Sequence, residues 1–235
     1  MSEPTREAAV ETADRKGALL ELVDISKSYH GPEGGVVALD GIVMSIHEGD
    51  FVAIMGPSGS GKSTLLTILG AMNPPSGGRM HVDGIDVYSL SVERLADFRK
   101  RYLGFVFQQL QLIPYLTAAE NVMLPLVISG TGSRREKAEA ALERVGLAGK
   151  ANRLPGQMSG GEQGRVAIAR ALVNEPLILL ADEPTGSLDS ATGEEIMRLF
   201  EELNADGHTI VMVTHNPENA ERAKRLVWLK DGKLE

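Results

Sequence analysis

The 235-residue chain contains no cysteine. Disulfides and cysteine-ligated zinc are excluded, which fits a reducing compartment without requiring one. A positive balance is also missing: 24 Lys and Arg stand against 32 Asp and Glu, for a formal net charge of −8. General nucleic-acid binding needs a basic face, so the composition argues against it, although a local basic groove is still allowed. No apolar run approaches the roughly 18 residues that a membrane span requires. The opening stretch, residues 1–19, is polar and mixed in charge and lacks the apolar centre of a secretory signal. It reads as a tail ahead of the folded part. Internal repeats and low-complexity segments are absent as well. What the chain does have is 43% hydrophobic residues, enough for the core of one large domain. An acidic cytoplasmic protein is the expectation from composition.

The apolar pattern divides the chain. "ALLELVDISKSYH" alternates like a strand, "GPEGG" like a turn, and "VVALDGIVMSI" like a second strand. "FVAIMG", "LILLAD" and "TIVMVTH" are short and almost wholly apolar, as strands buried on both faces are. "GGRMHVDGIDV" and "RLVWLKDGKLE" read as hairpins. From Ser91 to Gly161 helical signals dominate. Ser133 with Glu136 predicts a capping box, Ala138, Ala141, Leu142 and Val145 share a helical face, and Gly146 is a plausible stop. Ile196, Leu199, Phe200 and Leu203 mark another such face. Buried strands alternating with helices predict an α/β fold with a mainly parallel sheet. An antiparallel part lies towards the amino terminus, and a helical insert covers about 91–165 between core segments 20–90 and 166–235.

"GPSGSGKST", from Gly56 to Thr64, satisfies G-x-x-x-x-G-K-[ST] between a strand and a helix. Its residues are Gly56, Pro57, Ser58, Gly59, Ser60, Gly61, Lys62, Ser63 and Thr64. Glycines let backbone N–H groups turn towards a phosphate, and the helix N-terminus adds partial positive charge. Lys62 is placed to reach the β- and γ-phosphates of a nucleotide and Ser63 to ligate Mg²⁺. "LILLADE" brings Asp182 and Glu183 to a strand's C-terminal end, where such sheets bind ligands. Alone this pair would suit helix capping or a solvated surface equally well. Beside the phosphate loop, Asp182 reads as a Mg²⁺ holder and Glu183 as the group that orients or deprotonates water. Hydrolysis of ATP or GTP is the expectation.

A second glycine turn, "SGGE", opens another helix at Ser159, Gly160, Gly161 and Glu162. One phosphate loop already serves one nucleotide, so this anion-binding helix start has no obvious work on its own chain's ligand. It would face a nucleotide held by a second copy. A head-to-tail pair related by a twofold axis gives two composite sites.

With these stretches in order, the chain from about residue 20 to 235 resembles the ATP-binding cassette family. "MSGGEQ" is similar to the signature motif. Gln108 in "FVFQQ" matches the Q-loop, Asp189 in "TGSLDS" the D-loop, and His215 in "VMVTHN" the switch histidine. Tyr29 sits where the family places an aromatic ring against adenine. The resemblance implies catalysis by Glu183, His215, Gln108 and Lys62. Mg²⁺ would be held by Ser63, Gln108 and Asp182, and ATP would be contacted in trans by Ser159, Gly160, Gly161, Glu162 and Asp189. Two positions depart from the pattern: Met158 replaces a common leucine, and Gly164 stands where many relatives carry glutamine. A helical glycine costs roughly 1 kcal/mol against alanine.

The resemblance also implies an ATP-dependent homodimer that works on a separate membrane permease. The permease would dock near Gln109–Leu126 and hold the protein at the inner face of the cell membrane. Within the family, "GFVFQQLQLIPYLTAAENVMLPL" and "ADEPTGSLDS" look most like the lipoprotein-release, macrolide-export and cell-division branch. Members of that branch perform mechanical work on permeases with few membrane helices. Three rival readings are a classical importer or exporter ATPase, a soluble non-transport ATPase, and a non-hydrolytic binder. Intact Glu183 and His215 argue against the last.

Overall fold

A computed structural model describes residues 17–31, 34–129 and 133–235. Residues 1–16 of the expected tail and the tip of the "GPEGG" turn at 32–33 lie outside the described residues. The chain forms β1 (Leu20–Gly31), β2 (Gly34–Ile46), β3 (Phe51–Met55), α1 (Lys62–Leu69), β4 (Gly77–Val82) and β5 (Ile85–Asp86). Next come α2 (Val92–Tyr102), β6 (Leu103–Val106), α3 (Ala118–Met123), α4 (Arg134–Arg144) and α5 (Gly160–Leu172). The last part comprises β7 (Ile178–Asp182), α6 (Ser190–Ala205), β8 (Thr209–Val213), α7 (Pro217–Ala220), β9 (Arg225–Lys230) and β10 (Lys233–Leu234).

Two sheets result. An antiparallel sheet has the order β2-β1-β4-β5, and a six-stranded sheet runs β10-β9-β3-β8-β7-β6. In the second, β9, β3, β8, β7 and β6 are parallel, and β10 pairs antiparallel at the edge. The all-apolar strands are explained by two cores. Phe51, Ala53, Leu179, Ala181, Ile210 and Met212 point to one face, where α3, α4, α5 and α6 pack. Val52, Ile54, Ile178, Leu180, Val211 and Val213 point to the other, against α1 and the antiparallel sheet. A period of two with both faces apolar leaves no position for a polar side chain. Ile196, Leu199, Phe200 and Leu203 of α6 are all buried, as their spacing predicts.

Two expectations need correction. The stretch from Ser91 to Gly161, where helical signals dominate, also contains a core strand: β6 pairs in parallel with β7 from Leu103↔Ile178 to Val106↔Ala181. Four residues between a helix and a loop are too few to display a period. Ser133 precedes α4 as expected, but its side chain makes no capping bond, and its ψ of 35° is far from the extended backbone a cap uses. Capping boxes do form at Thr117 with Glu120 and at Ser159 with Glu162.

Candidate functional site

The phosphate loop links β3 to α1 and is fixed by two close approaches. At Gly56, φ is 153°, and a Cβ would collide with the carbonyl oxygen of Leu229 on β9. At Gly61, the N-cap of α1, φ is 104°, and a Cβ would collide with the carbonyl of Ala38 on β2. Only glycine suits such backbone angles at such contacts. Lys62 Nζ donates to the carbonyls of Gly56 and Pro57, both at 2.7 Å, which holds the ammonium group across the loop. The loop borders a cleft of about 1040 Å³. Every residue from Gly56 to Thr64 lines it except Ser60, which is buried and supports the loop through its backbone.

The ends of the neighbouring strands complete the cleft. Asp182 ends β7 and Glu183 follows it, His215 follows β8, and Gln108 follows β6; all four line the same space as Lys62 and Ser63. Burial pushes the Asp182 carboxyl above the usual carboxylate range. The neighbouring Glu183 charge adds to this, and Lys62 opposes it. Glu183 has a left-handed backbone, φ 44°, and its N–H donates to Val213 O at 2.9 Å. Its Oε1 accepts from the His215 backbone N–H at 2.9 Å and meets His215 Nδ1 at 2.6 Å. Its Oε2 accepts from the Thr214 hydroxyl at 3.1 Å. The Glu183 side chain is 14% exposed and that of His215 is 72% exposed.

The second glycine turn lies outside this cleft, at the N-terminus of α5. Ser159 Oγ accepts from Glu162 N–H at 3.3 Å, and Glu162 Oε2 accepts from Ser159 N–H at 2.9 Å. Glu162 also pairs with Lys150, and that hydrogen bond is the largest cause holding its carboxyl below the usual range. These bonds place Glu162 as a builder of the turn. Gln163 Nε2 donates to the carbonyls of Pro155 and Met158, bracing the residues ahead of it. Asp189 caps α6, accepting from Thr192 N–H at 3.1 Å and Thr192 Oγ1 at 2.6 Å. The two helix starts touch: a Cβ at Gly161 would stand 2.6 Å from Thr192 Cγ2. Gly164, read from sequence as a mere weakness of the helix, lies in the same seam, with Ile196 Cδ1 at 3.2 Å from its would-be Cβ. At the other end of α5, half-buried Arg170 donates to the carbonyls of Leu110 and Gln111, both at 2.6 Å, in the loop after Gln108.

Tyr29 is not among the side chains lining the cleft. Its ring receives the Lys27 ammonium at 5.2 Å, and its hydroxyl accepts from Asn73 at 2.8 Å. The wall there is instead made by Val36, Val37, Ala38 and Trp228. Sequence reasoning missed these four. Trp228 reaches the cleft because β9 pairs with β3, Met55↔Trp228, across more than a hundred and seventy positions, and no local pattern signals that.

Residues 39–186 match the family model described as ABC transporter. The chain belongs to the ABC transporter family. It is an ATPase cassette of that family, and known relatives cover almost all of it. The ABC transporter ATP-binding protein YknY of Bacillus subtilis (strain 168) is 50% identical over 218 residues, spanning 92% of this chain and 95% of that protein. The macrolide export ATP-binding/permease protein MacB of Rhodospirillum rubrum is 47% identical over 94% of the cassette, which spans only 34% of MacB. Among solved structures, the post-hydrolysis dimer of the ATP-binding cassette MJ0796 bound to ADP and Pi superposes with a TM-score of 0.83. The identity is 47%, covering 92% of this chain and 96% of that one.

Proposed function

We propose that the cassette hydrolyses ATP in the composite sites of a head-to-tail homodimer and thereby drives a separate membrane permease. The observation that carries this is the convergence of Lys62, Ser63, Gln108, Asp182, Glu183 and His215 on one cleft. Phosphoryl transfer is governed by positioning and charge. The loop N–H groups and Lys62 bind the triphosphate. Glu183 accepts a proton from water as the water oxygen bonds to the γ-phosphorus. The bond from that phosphorus to the bridging oxygen breaks, giving ADP and phosphate. His215, hydrogen-bonded to Glu183, orients that carboxylate. Ser159, Gly160 and Gly161 would reach the γ-phosphate of the other copy, with Asp189 beside them. The Ser159 hydroxyl proton is free to donate, because its oxygen accepts from Glu162. ADP and Pi in the MJ0796 dimer support the same chemistry here.

Hard oxygen donors at Ser63, Asp182 and the Gln108 carboxamide line one space, a set suited to Mg²⁺ completed by phosphate and water. The bound ion would neutralise charge on the β- and γ-phosphate oxygens.

A groove of about 480 Å³ between α2, β6 and the end of α5 is where a cytoplasmic segment of the permease would seat. Phe105, Phe107, Gln111, Pro125 and Arg170 line it, so of the Gln109–Leu126 stretch only Gln111 and Pro125 contribute. Tyr115, 81% exposed, offers a further apolar contact near it in sequence. No helix among the described residues is long and apolar enough to cross a membrane. The permease would hold the cassette at the inner face. The macrolide-export name of the MacB relatives supports the mechanotransmission branch, whose resemblance implies a permease of few membrane helices.

Tagged Glu183→Gln chain, purified from gently solubilised host membranes with ATP present, tests the partner. A four-helix permease with a large external domain is expected, and a many-helix permease would overturn the branch. Equal phosphate release from the wild-type and Glu183→Gln chains would overturn the role of Glu183.

A further inference from the structure

We propose that Thr214 is a positioning residue for the Glu183 carboxylate, an inference that rests on the hydrolytic role of Glu183 given above. Glu183 is an unusual platform for chemistry. Its left-handed φ of 44° is costly for a residue with a long side chain, so its placement must be held by its surroundings. Three bonds hold its carboxylate, and they are not alike. Two reach Oε1 from His215, one from its fixed backbone N–H and one from Nδ1 of a largely exposed side chain. The third reaches Oε2 from Thr214, which is fully buried.

The Thr214 hydroxyl has only one way to point its proton. Its oxygen accepts from the Asn216 backbone N–H at 3.1 Å, and an N–H can only donate. An ionised Glu183 can only accept. The hydroxyl proton therefore goes to Oε2, and the charge-assisted bond fixes the carboxylate rotamer. Thr214 is in turn anchored by its own N–H, which donates to Ile54 O at 3.2 Å on β3, the strand that leads into the phosphate loop. One buried residue thus ties the hydrolytic carboxylate to the strand that carries the phosphate site. When His215 turns to a nucleotide, the Thr214 bond is the one that keeps Oε2 in register.

The experiment compares Thr214→Val, which keeps the shape and removes the hydroxyl, with Thr214→Ser, which restores it. Phosphate release is followed against Mg²⁺-ATP concentration for the full chain, with melting curves as the control for folding. Losing a hydrogen bond to a charged group predicts a fall in kcat of roughly 10- to 100-fold for the valine variant. KM for ATP stays within about twofold, and the serine variant returns kcat to near wild type. A valine variant with wild-type kcat overturns the inference. So does a serine variant as slow as valine, or equal loss of ATP binding in both, since either marks a purely structural role. Should the valine chain fail to fold, Thr214→Ala against Thr214→Ser makes the same comparison. Glu183→Gln runs alongside. If it is slow while Thr214→Val is fast, only the Thr214 inference fails; if it matches wild type, the reading of Glu183 fails as well.

Discussion

Replacing Gly161 by alanine tests how the signature turn is built. The new Cβ would stand 2.6 Å from Thr192 Cγ2, about 1 Å inside the usual carbon–carbon separation of roughly 3.5–4.0 Å. Thr192 cannot simply rotate away, because its hydroxyl is bonded to Asp189 Oδ2 at 2.6 Å and its N–H to Oδ1 at 3.1 Å. Overpacking of this kind costs about 1–3 kcal/mol. The alanine recovers up to about 1 kcal/mol of helix propensity. The net expectation is a loss of about 1–2 kcal/mol. Thr192→Ser removes the offending methyl and keeps the hydroxyl for Asp189, so it should cost little by itself and relieve the clash in the double variant. Urea unfolding of the four chains measures the coupling directly, independently of catalysis. A favourable coupling of at least about 1 kcal/mol is expected. If the double variant loses the sum of the two single losses to within about 0.5 kcal/mol, the steric account of Gly161 is refuted.

Trp228 is the sole tryptophan and lines the cleft. Mg²⁺-ATP should change its emission, and the change should vanish in Trp228→Phe; unchanged emission at saturating nucleotide would put the ligand elsewhere. Arg170→Met removes both bonds to Leu110 and Gln111, and Gln111 has φ 52°. A stability loss of about 1–3 kcal/mol is expected, with Gln111→Gly recovering part of it by relaxing the backbone; urea midpoints decide. Burial first, then the charge of Arg144, lowers the pKa of His208. Below about pH 6.5 the unfolded chain takes up a proton that the folded His208 resists, so stability falls as pH drops from there towards the folded value. His208→Gln should flatten that limb of the stability–pH curve, and superimposable limbs would contradict the assignment.

The site was legible in the sequence wherever one short segment carries its own chemistry. Gly56–Thr64 needs a strand before it and a helix after it, and all three are contiguous. Asp182, Glu183 and His215 could be placed because each ends an apolar strand, and parallel strands deliver their ends to one edge of the sheet. Legibility failed where the determinant is non-local. Trp228 reaches the cleft through pairing of β9 with the distant β3, Val36–Ala38 come to it from the other sheet, and β6 is too short to show a period. Ser133 and Glu136 have the residue types of a capping box, but the cap depends on the angle at which the chain enters the helix. Gly164 looked like a defect in a helix, because sequence does not reveal that Ile196 of another helix presses on that position.

The strand that carries the phosphate loop has β8 on one side and β9 on the other, and each of its faces is sealed by a different core. With neither edge nor face free, its amides should exchange with deuterium only when the whole cassette unfolds. Fraying therefore gives the molecule no means of loosening its hold on phosphate. Any slackening during the working cycle has to come from the pieces that arrive at the loop from outside this strand, while the loop's own foundation stays as slow as the fold itself.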